Sequence, residues 1–591
     1  MRVADYIMDR LAQLGIRHVY FLPGGGAMHL NDALGRHPDL EPVLCLHEQA
    51  AGIAAEAAGK LSTSPSACMV TSGPGATNVV TPVLGAWLDS TPVFFISGQV
   101  KTADLKGDSG LRILGNQEAD IVSIVSSITK RAITLIDPQA VAEVFDELEH
   151  SALSGRRGPV WLDVPLDIQN AQIDPAQLRR AKLPPPATPL NLAGPVAHTL
   201  KLLKTAKRPG ILAGSGIRLA GAVDAFNMLI QRAGVPVMPT WLAMDLIEDD
   251  HPLYGGRPGS IAPRWANFTL QNCDLLIVLG SRLDMALTAY NHAHFAPLAK
   301  KIVVDIDPAE ISKLNMELEE SVVGDVKPFI EALDAAIVAN PLPGYTSWLA
   351  QIAAWRKRYP LLLPEHADDS RGVSLYYFTD RLSTLLQEGD VIASSSAGFT
   401  AELFLLGLRL KKNQRCFHNR GTGSMGFGIP AAIGACLMAG RKQTICIEGD
   451  GGAQQNIQEL SVLAALELPV KLFVVNNRGY ASIRASQSAN FKLLVGADAS
   501  SGLRLPDLRQ LAAAYGISYA RVESHQGMDL RLQEVLDAAG PVLCEIVARP
   551  EEPRIPRVMT RYEQGKPVSG ALEDLYPFLP REELAESWPL V

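Results

Sequence analysis

The sequence predicts an α/β protein made of three doubly wound parallel-sheet domains. Three observations lead there. Strand-like apolar runs alternate with helical ones along the whole chain, the pattern of parallel sheets covered by helices. At 591 residues the chain is too long for a single hydrophobic core. Two proline-rich stretches, 183–189 and 340–344, are too stiff for a sheet and mark boundaries.

The first domain is expected over residues 1–175. It opens on an amphipathic helix rather than a signal peptide and closes on the strand Val160–Pro165. The second, 190–338, holds the runs 210–216, 275–280 and 302–307, each a strand that ends in glycine or aspartate. The third, 345–550, contains the strand Thr444–Ile447, the turn Gly449-Asp450-Gly451-Gly452, a helix-like run over 454–466, and the strand Val470–Val475 leading into Asn476-Asn477. The tail, 551–591, has too few apolar residues for a domain and is expected to pack over the others.

Composition narrows the function classes. A net charge of −8 without a basic stripe argues against nucleic acid as a partner. No apolar run reaches transmembrane length, so no membrane is expected. The seven cysteines are scattered and form no Cys-x-x-Cys, which fits buried thiols in a reducing cytoplasm.

The chemistry concentrates near residue 450. Asp450 ends one strand and Asn477 follows the next. Two short oxygen ligands on neighbouring strand ends suit a hard divalent cation, typically Mg²⁺, that keeps its other positions for phosphate oxygens and water. Gly449, Gly451 and Gly452 are expected to let the backbone approach a phosphate, and the following helix turns its free N–H groups towards it. This reads as a diphosphate-plus-metal site.

With that pair of motifs the chain resembles the thiamine-diphosphate (ThDP) enzymes, whose signature is Gly-Asp-Gly followed by Asn-Asn. The likeness continues through Pro23–Gly26, His47–Ala51, Ser72–Asn78, Gln117-Glu118, Gly426–Ala432 and Asn456–Leu460. It is closest to the acetohydroxyacid (acetolactate) synthases. The resemblance implies a pyrimidine-binding domain, a central domain and a diphosphate-binding domain, in that order. It implies that Asp450, Asn477 and the Gly479 carbonyl hold Mg²⁺. Glu48 would be the carboxyl at the cofactor's pyrimidine nitrogen, set between an apolar strand and an Ala-rich helix where burial disfavours its charged form. Gln117 would face the thiazolium, with Gly25 and His29 at the active-site mouth. Gly423 offers its carbonyl to the exocyclic amine, Ser424 stands beside it, and Met425 is the apolar wedge that bends the cofactor. Ser396, Phe399 and Thr400 lie in a strand-to-helix turn at the diphosphate, and Ile483 in the run after Asn477. Phe399-Thr400 depart from the Gln-His common in the synthases. In the central domain Gly214, Gly216, Arg282, Asp305 and Asp325 resemble positions that line FAD, in a structural rather than redox role.

The resemblance further implies that a 2-oxoacid, usually pyruvate, is decarboxylated and its acyl carbanion passed to a carbonyl acceptor. The run 478–487 lacks the Trp that selects a 2-oxoacid acceptor in the synthases, and Leu166 stands in place of a Lys. The runs Gly24–Leu34 and Leu572–Pro580 look like acetolactate-synthase-like enzymes of bacterial polysaccharide clusters, including the yersiniose-branch type, which act on a ketone of a nucleotide-linked sugar. The expected partners are therefore a small-molecule 2-oxoacid, a ketone or keto-sugar acceptor, and further copies of the chain in a homodimer or homotetramer. Competing readings are a genuine acetolactate synthase, a ThDP-dependent 2-oxoacid decarboxylase or C–C hydrolase, and a non-catalytic nucleotide-binding paralogue.

Overall fold

The computed structural model describes residues 1–185, 189–563 and 566–590. Three parallel sheets carry the fold. The first has six strands, β1 (His18–Phe21), β2 (Glu41–Leu44), β3 (Ser66–Val70), β4 (Val93–Gln99), β5 (Arg131–Thr134) and β6 (Val160–Pro165), in the order β2-β1-β3-β4-β6-β5. The second has five, β7 (Pro209–Ala213), β8 (Val237–Pro239), β9 (Leu275–Leu279), β10 (Lys300–Asp305) and β11 (Glu320–Val323), in the order β11-β10-β9-β7-β8. The third again has six: β12 (Val391–Ser394), β13 (Arg415–Phe417), β14 (Thr444–Gly449), β15 (Val470–Asn476), β16 (Ser518–Val522) and β17 (Val542–Val547). Their order is β13-β12-β14-β15-β17-β16. The first and third sheets thus share one connectivity. Their central strands, such as β3, β4 and β6, are buried on both faces, which is why they read as unbroken apolar runs.

Contacts gather the chain into two compact units. One comprises Met1–Pro186, Asp390–Ala401 and Arg415–Ala548, and so holds the first and third sheets. The other comprises Ala187–Gly389, Glu402–Gln414 and Arg549–Val591, around the five-stranded sheet. Residues 345–389, expected with the third sheet, fall in this second unit. The reason is a stripe of large residues: helix Thr346–Arg358 buries Trp348, Ile352 and Trp355 in the central core, and the Trp348 indole N–H donates to the Pro209 carbonyl at 3.1 Å. The tail packs on the same core through Leu572, Leu584, Trp588 and Leu590.

The helix expected over 454–466 is broken in two and begins earlier. A turn at Asp450–Ala453 runs into a 3₁₀ stretch, Gln454–Glu459, and then helix Leu460–Ala465. The break is at Asn456, whose backbone leaves the helical region at φ −138°, ψ 33°. Its side-chain amide donates to the Gly426 carbonyl at 2.9 Å, so a tertiary hydrogen bond overrides local helix propensity.

Within the first unit, helix Glu48–Ser62 lies against helix Gly428–Met438, both rich in Ala and Gly. At the crossing the backbones touch: a Cβ on Gly434 would overlap the Ala54 carbonyl oxygen. The Tyr20 hydroxyl donates to the Gly434 carbonyl at 3.2 Å. Gly434→Val is therefore expected to lower unfolding free energy by about 3 kcal/mol through overpacking, read as a lower denaturant midpoint at unchanged slope.

Candidate active site

Strand β12 pairs with β13 on one side and β14 on the other, so the connections leaving β12 and β14 diverge. Such a reversal of strand order opens a crevice at the carboxyl ends, where ligands of doubly wound sheets bind. Ser394-Ser395-Ser396 leave β12, Asp450 leaves β14, and Asn477 follows β15. All are buried. One Asp450 oxygen accepts the Gly451 N–H and the other the Gly479 N–H, both at 2.8 Å. Burial pushes the Asp450 carboxyl up to about 6, and these two N–H groups oppose that shift. Arg484 fixes the loop from the other side by donating to the Asn477 carbonyl at 3.0 Å. Gly479 requires glycine, since its φ is +117° and a Cβ would lie 2.5 Å from the Ala497 carbonyl oxygen.

The oxygen atoms left over carry the functional meaning. The side-chain oxygen of Asn477 and the hydroxyls of Ser394, Ser395 and Ser482 are buried and have no hydrogen-bond partner among the described residues. A folded protein seldom strands such groups. Ser482 lies beside Gly398 and Thr400 beside Gly449, which links the β12, β14 and β15 ends into one cluster. An Asp carboxylate, an orphaned amide oxygen and a backbone carbonyl at Gly479 are hard donors fit for Mg²⁺, and the hydroxyls suit a diphosphate. Ser396 accepts the Asn419 N–H at 2.7 Å, and Phe399 is buried, so only its backbone remains for a ligand.

The glycines of the turn are also closely packed. A Cβ on Gly451 would strike the Tyr480 ring, and one on Gly452 would lie 2.5 Å from a Glu448 oxygen. Close packing by itself therefore requires glycine at both positions. Glu448 is itself buried, is pushed up to about 7 by that burial, and accepts the N–H groups of Gly428 and Gly449 at 2.8 and 3.1 Å.

A second cluster lies at the carboxyl end of the first sheet. Glu48 is the first residue of its helix, buried, with His47 as the cap whose ring nitrogen accepts the Gln49 N–H at 3.0 Å. The side-chain amide of Asn78 donates to Glu48 at 2.9 Å, an interaction that nothing in the spacing announced. Gly24 and Gly26 pack on Thr71 and Ser72, whereas Gly25 is exposed with open space beyond its Cα. His29 is half-buried in helix Met28–Arg36. Gln117 is exposed with φ +65°, its carbonyl set against Gly73. Gly423 (φ +64°) and the half-buried Ser424 precede Met425, which is 42% exposed, and Ile483 is 46% exposed.

In the central sheet, Gly214 follows β7, Arg282 follows β9, Asp305 ends β10 and Asp325 follows β11. These four strands are consecutive neighbours, and strand order reverses between β7 and β9. The positions therefore share the edge where a nucleotide-like ligand would sit. Gly214 and Gly216 are accounted for by close approach to the Gly280 backbone, and Asp325 caps helix Val326–Ala339. The placement suits a flavin; the glycines add no separate support.

Family comparison agrees with this geometry. The profile of the thiamine pyrophosphate enzyme N-terminal TPP binding domain matches residues 1–124, that of the central domain 196–333, and that of the C-terminal TPP binding domain 397–546. A probable acetolactate synthase large subunit of Methanocaldococcus jannaschii is 33% identical over 94% of both chains. The acetolactate synthase isozyme 1 large subunit of Escherichia coli K12 is 31% identical, over 94% of this chain and 95% of its own. The chloroplastic acetolactate synthase 1 of Zea mays is 29% identical, over 97% and 88%.

Removing the orphaned oxygen tests the donor set. Asn477→Leu is expected to weaken Mn²⁺ binding in the presence of ThDP at least about tenfold, roughly 1.4 kcal/mol, as followed by the electron paramagnetic resonance signal of free Mn²⁺.

Proposed function

The chain belongs to the acetolactate-synthase-like group of thiamine-diphosphate enzymes, a C–C bond-forming class, and on that premise we propose that it decarboxylates a 2-oxoacid, pyruvate by preference, and joins the acyl unit to a carbonyl acceptor bulkier than a second pyruvate. The observation that carries the catalytic part is the pairing of two built clusters: a buried Glu48 held by Asn78, and a buried Asp450 carboxylate beside an Asn477 side-chain oxygen that has no partner among the described residues.

Bound ThDP supplies the electron sink for decarboxylation. The chain's residues do the rest. Asp450, Asn477 and the Gly479 carbonyl hold Mg²⁺, and the hydroxyls of Ser395, Thr400 and Ser482 take the diphosphate. Glu48 holds a proton at the pyrimidine nitrogen through the oxygen that Asn78 does not occupy. Gly423 takes the exocyclic amine, while Met425 and Ile483 give the cofactor an apolar seat. Gln117, Gly25 and His29 border the substrate. FAD, in a non-redox role, belongs at the central sheet's reversal point, a position supported by the shared edge of Gly214, Arg282, Asp305 and Asp325.

The active unit in this reading is at least a homodimer, with Glu48 of one chain serving the metal cluster of the other. Apolar side chains left open in the single chain support it: Met28, Leu111, Ile113 and Leu114 are all exposed in the sheet-pair unit, as are Met425 and Ile483. The acceptor follows from two absences. The run 478–487 after Asn477 has no Trp, and Leu166, half-buried just beyond β6, replaces a cation. Losing that cation removes a partner for an acceptor's carboxylate, which is costly to desolvate unpaired. A neutral ketone, aldehyde or keto-sugar is favoured. Acetolactate synthesis itself is the second reading, and the names of the relatives favour it.

Two experiments separate these statements. Glu48→Gln is expected to reduce turnover at least about a thousandfold, some 4 kcal/mol, with ThDP affinity within threefold; retention of a tenth of the rate removes the assignment. Mixed with an Asp450→Ala chain, equally inactive alone, it is expected to recover activity through one intact site per mixed dimer. For the acceptor, competition between pyruvate and a panel of bulky ketones, aldehydes and keto-sugars is expected to favour cross-coupling at least about tenfold, or 1.4 kcal/mol. Dominance of acetolactate against every competitor makes the enzyme an acetolactate synthase.

A further inference from the structure

The turn that presents Glu48 leaves its sheet early. Strand β2 stops at Leu44, and Cys45 makes the last ladder bond, to Phe21 at 3.0 Å. Leu46 is 44% exposed and so is only partly held by packing. Its N–H instead donates to the Glu459 carboxylate, 3.0 Å from one oxygen and 3.2 Å from the other. Glu459 is fully buried, and burial pushes its carboxyl up to about 7 while the backbone N–H groups of Leu46 and His47 oppose that. On the far side of Glu48, the Gln49 side chain accepts from the Asn456 amide at 3.3 Å. Both anchors come from the broken stretch Gln454–Glu459 that follows the Asp450 turn.

We infer that Glu459 is a positioning residue for Glu48: by holding the backbone of the turn immediately before it, Glu459 sets where the activating carboxyl points. Asn78 orients the Glu48 side chain, and Glu459 with Asn456 fixes the main chain it hangs from. The Asn456 break thereby acquires a purpose, since it turns two polar side chains out of a short stretch onto one neighbouring loop. The inference rests on the reading of Glu48 as cofactor activator.

The test uses the full-length protein with Glu459→Gln, Glu459→Ala and, as control, Glu48→Gln. Three quantities are measured: amide hydrogen exchange of a peptide spanning 44–49 without cofactor, the affinity for ThDP with Mg²⁺, and exchange of the bound cofactor's C2 proton for deuterium. Glu459→Ala is expected to speed Leu46 amide exchange and slow C2 exchange, each at least tenfold, and Glu459→Gln at least threefold, with ThDP affinity within threefold in both. C2 exchange changed by less than these factors overturns the inference. So does a loss of ThDP affinity as large as the loss of exchange, which makes Glu459 a support of the diphosphate site alone. If Glu459→Ala does not fold, Glu459→Gln, nearly identical in shape, decides on the same criteria. Wild-type C2 exchange in Glu48→Gln refutes the activator reading itself; its loss there, with exchange intact in the Glu459 variants, refutes only the positioning.

Discussion

Much of the candidate site depends on one contact, the backbone-to-backbone crossing of helix Glu48–Ser62 and helix Gly428–Met438. Small residues on both helices make it possible, since Gly434 meets the Ala54 backbone there, while Gly52 and Gly59 let other sides of helix Glu48–Ser62 pack on Pro82 and Thr91. Interiors pack to crystal density, so a crossing this close admits no adjustment by a methyl group. It joins the first and third sheets in one unit and encloses a charge cluster. Lys60 sits 2.7 Å from both Glu56 and Asp89, and Asn419 donates to Glu56 at 2.8 Å. Burial pushes Glu56 up to about 7, and Lys60 and Asn419 hold it down against that. A buried charge that loses its partner is strongly destabilising, so this cluster penalises any other pairing of the two helices.

The sheets joined in this way are copies in topology and opposites in chemistry. Each has a strand flanked by its sequence neighbours, β1 between β2 and β3, and β12 between β13 and β14. The first sheet puts a carboxyl, Glu48, after β2 and its side-chain amide partner, Asn78, after β3. The third puts hard oxygen donors and hydroxyls on the loops after β12, β14 and β15. In the proposed function, proton handling and diphosphate anchoring are thereby separated onto two scaffolds, each able to place its own groups without compromising the other's electrostatics.

The legible parts of this arrangement share a physical cause. Strands buried on both faces are continuous apolar runs, so Val160–Pro165 and the strands before Asp450 and Asn477 could be read directly. Polar residues at the ends of such strands had to face a crevice, which made the Asp450–Asn477 cluster legible. What was hidden is tertiary. Asn456 breaks a helix because of Gly426 and Gln49, neither near it in sequence. Gly451 and Gly452 are packed against Tyr480 and Glu448, a requirement for glycine that the turn signature alone does not carry. The Trp348 and Trp355 stripe has helical spacing, but spacing does not say which sheet it will cover. Asn78 lay within a motif whose glycines drew attention first.

The buried carboxylates of this unit also distinguish themselves by what they hold. Glu448 accepts two backbone N–H groups, Asp450 accepts two, and Glu459 grips the turn at Leu46. Each is bound to the main chain and tightens a turn; protonating any of them would weaken the acceptor and loosen that turn. Glu48 differs. Its one hydrogen bond among the described residues comes from a side chain, Asn78, and reaches a single oxygen. In the proposed role at the pyrimidine nitrogen such sparse attachment is an advantage, because no backbone restraint hangs on that carboxyl. Other carboxylates hold the turns around it, so the loop that presents Glu48 is fixed by its neighbours and not by Glu48 itself.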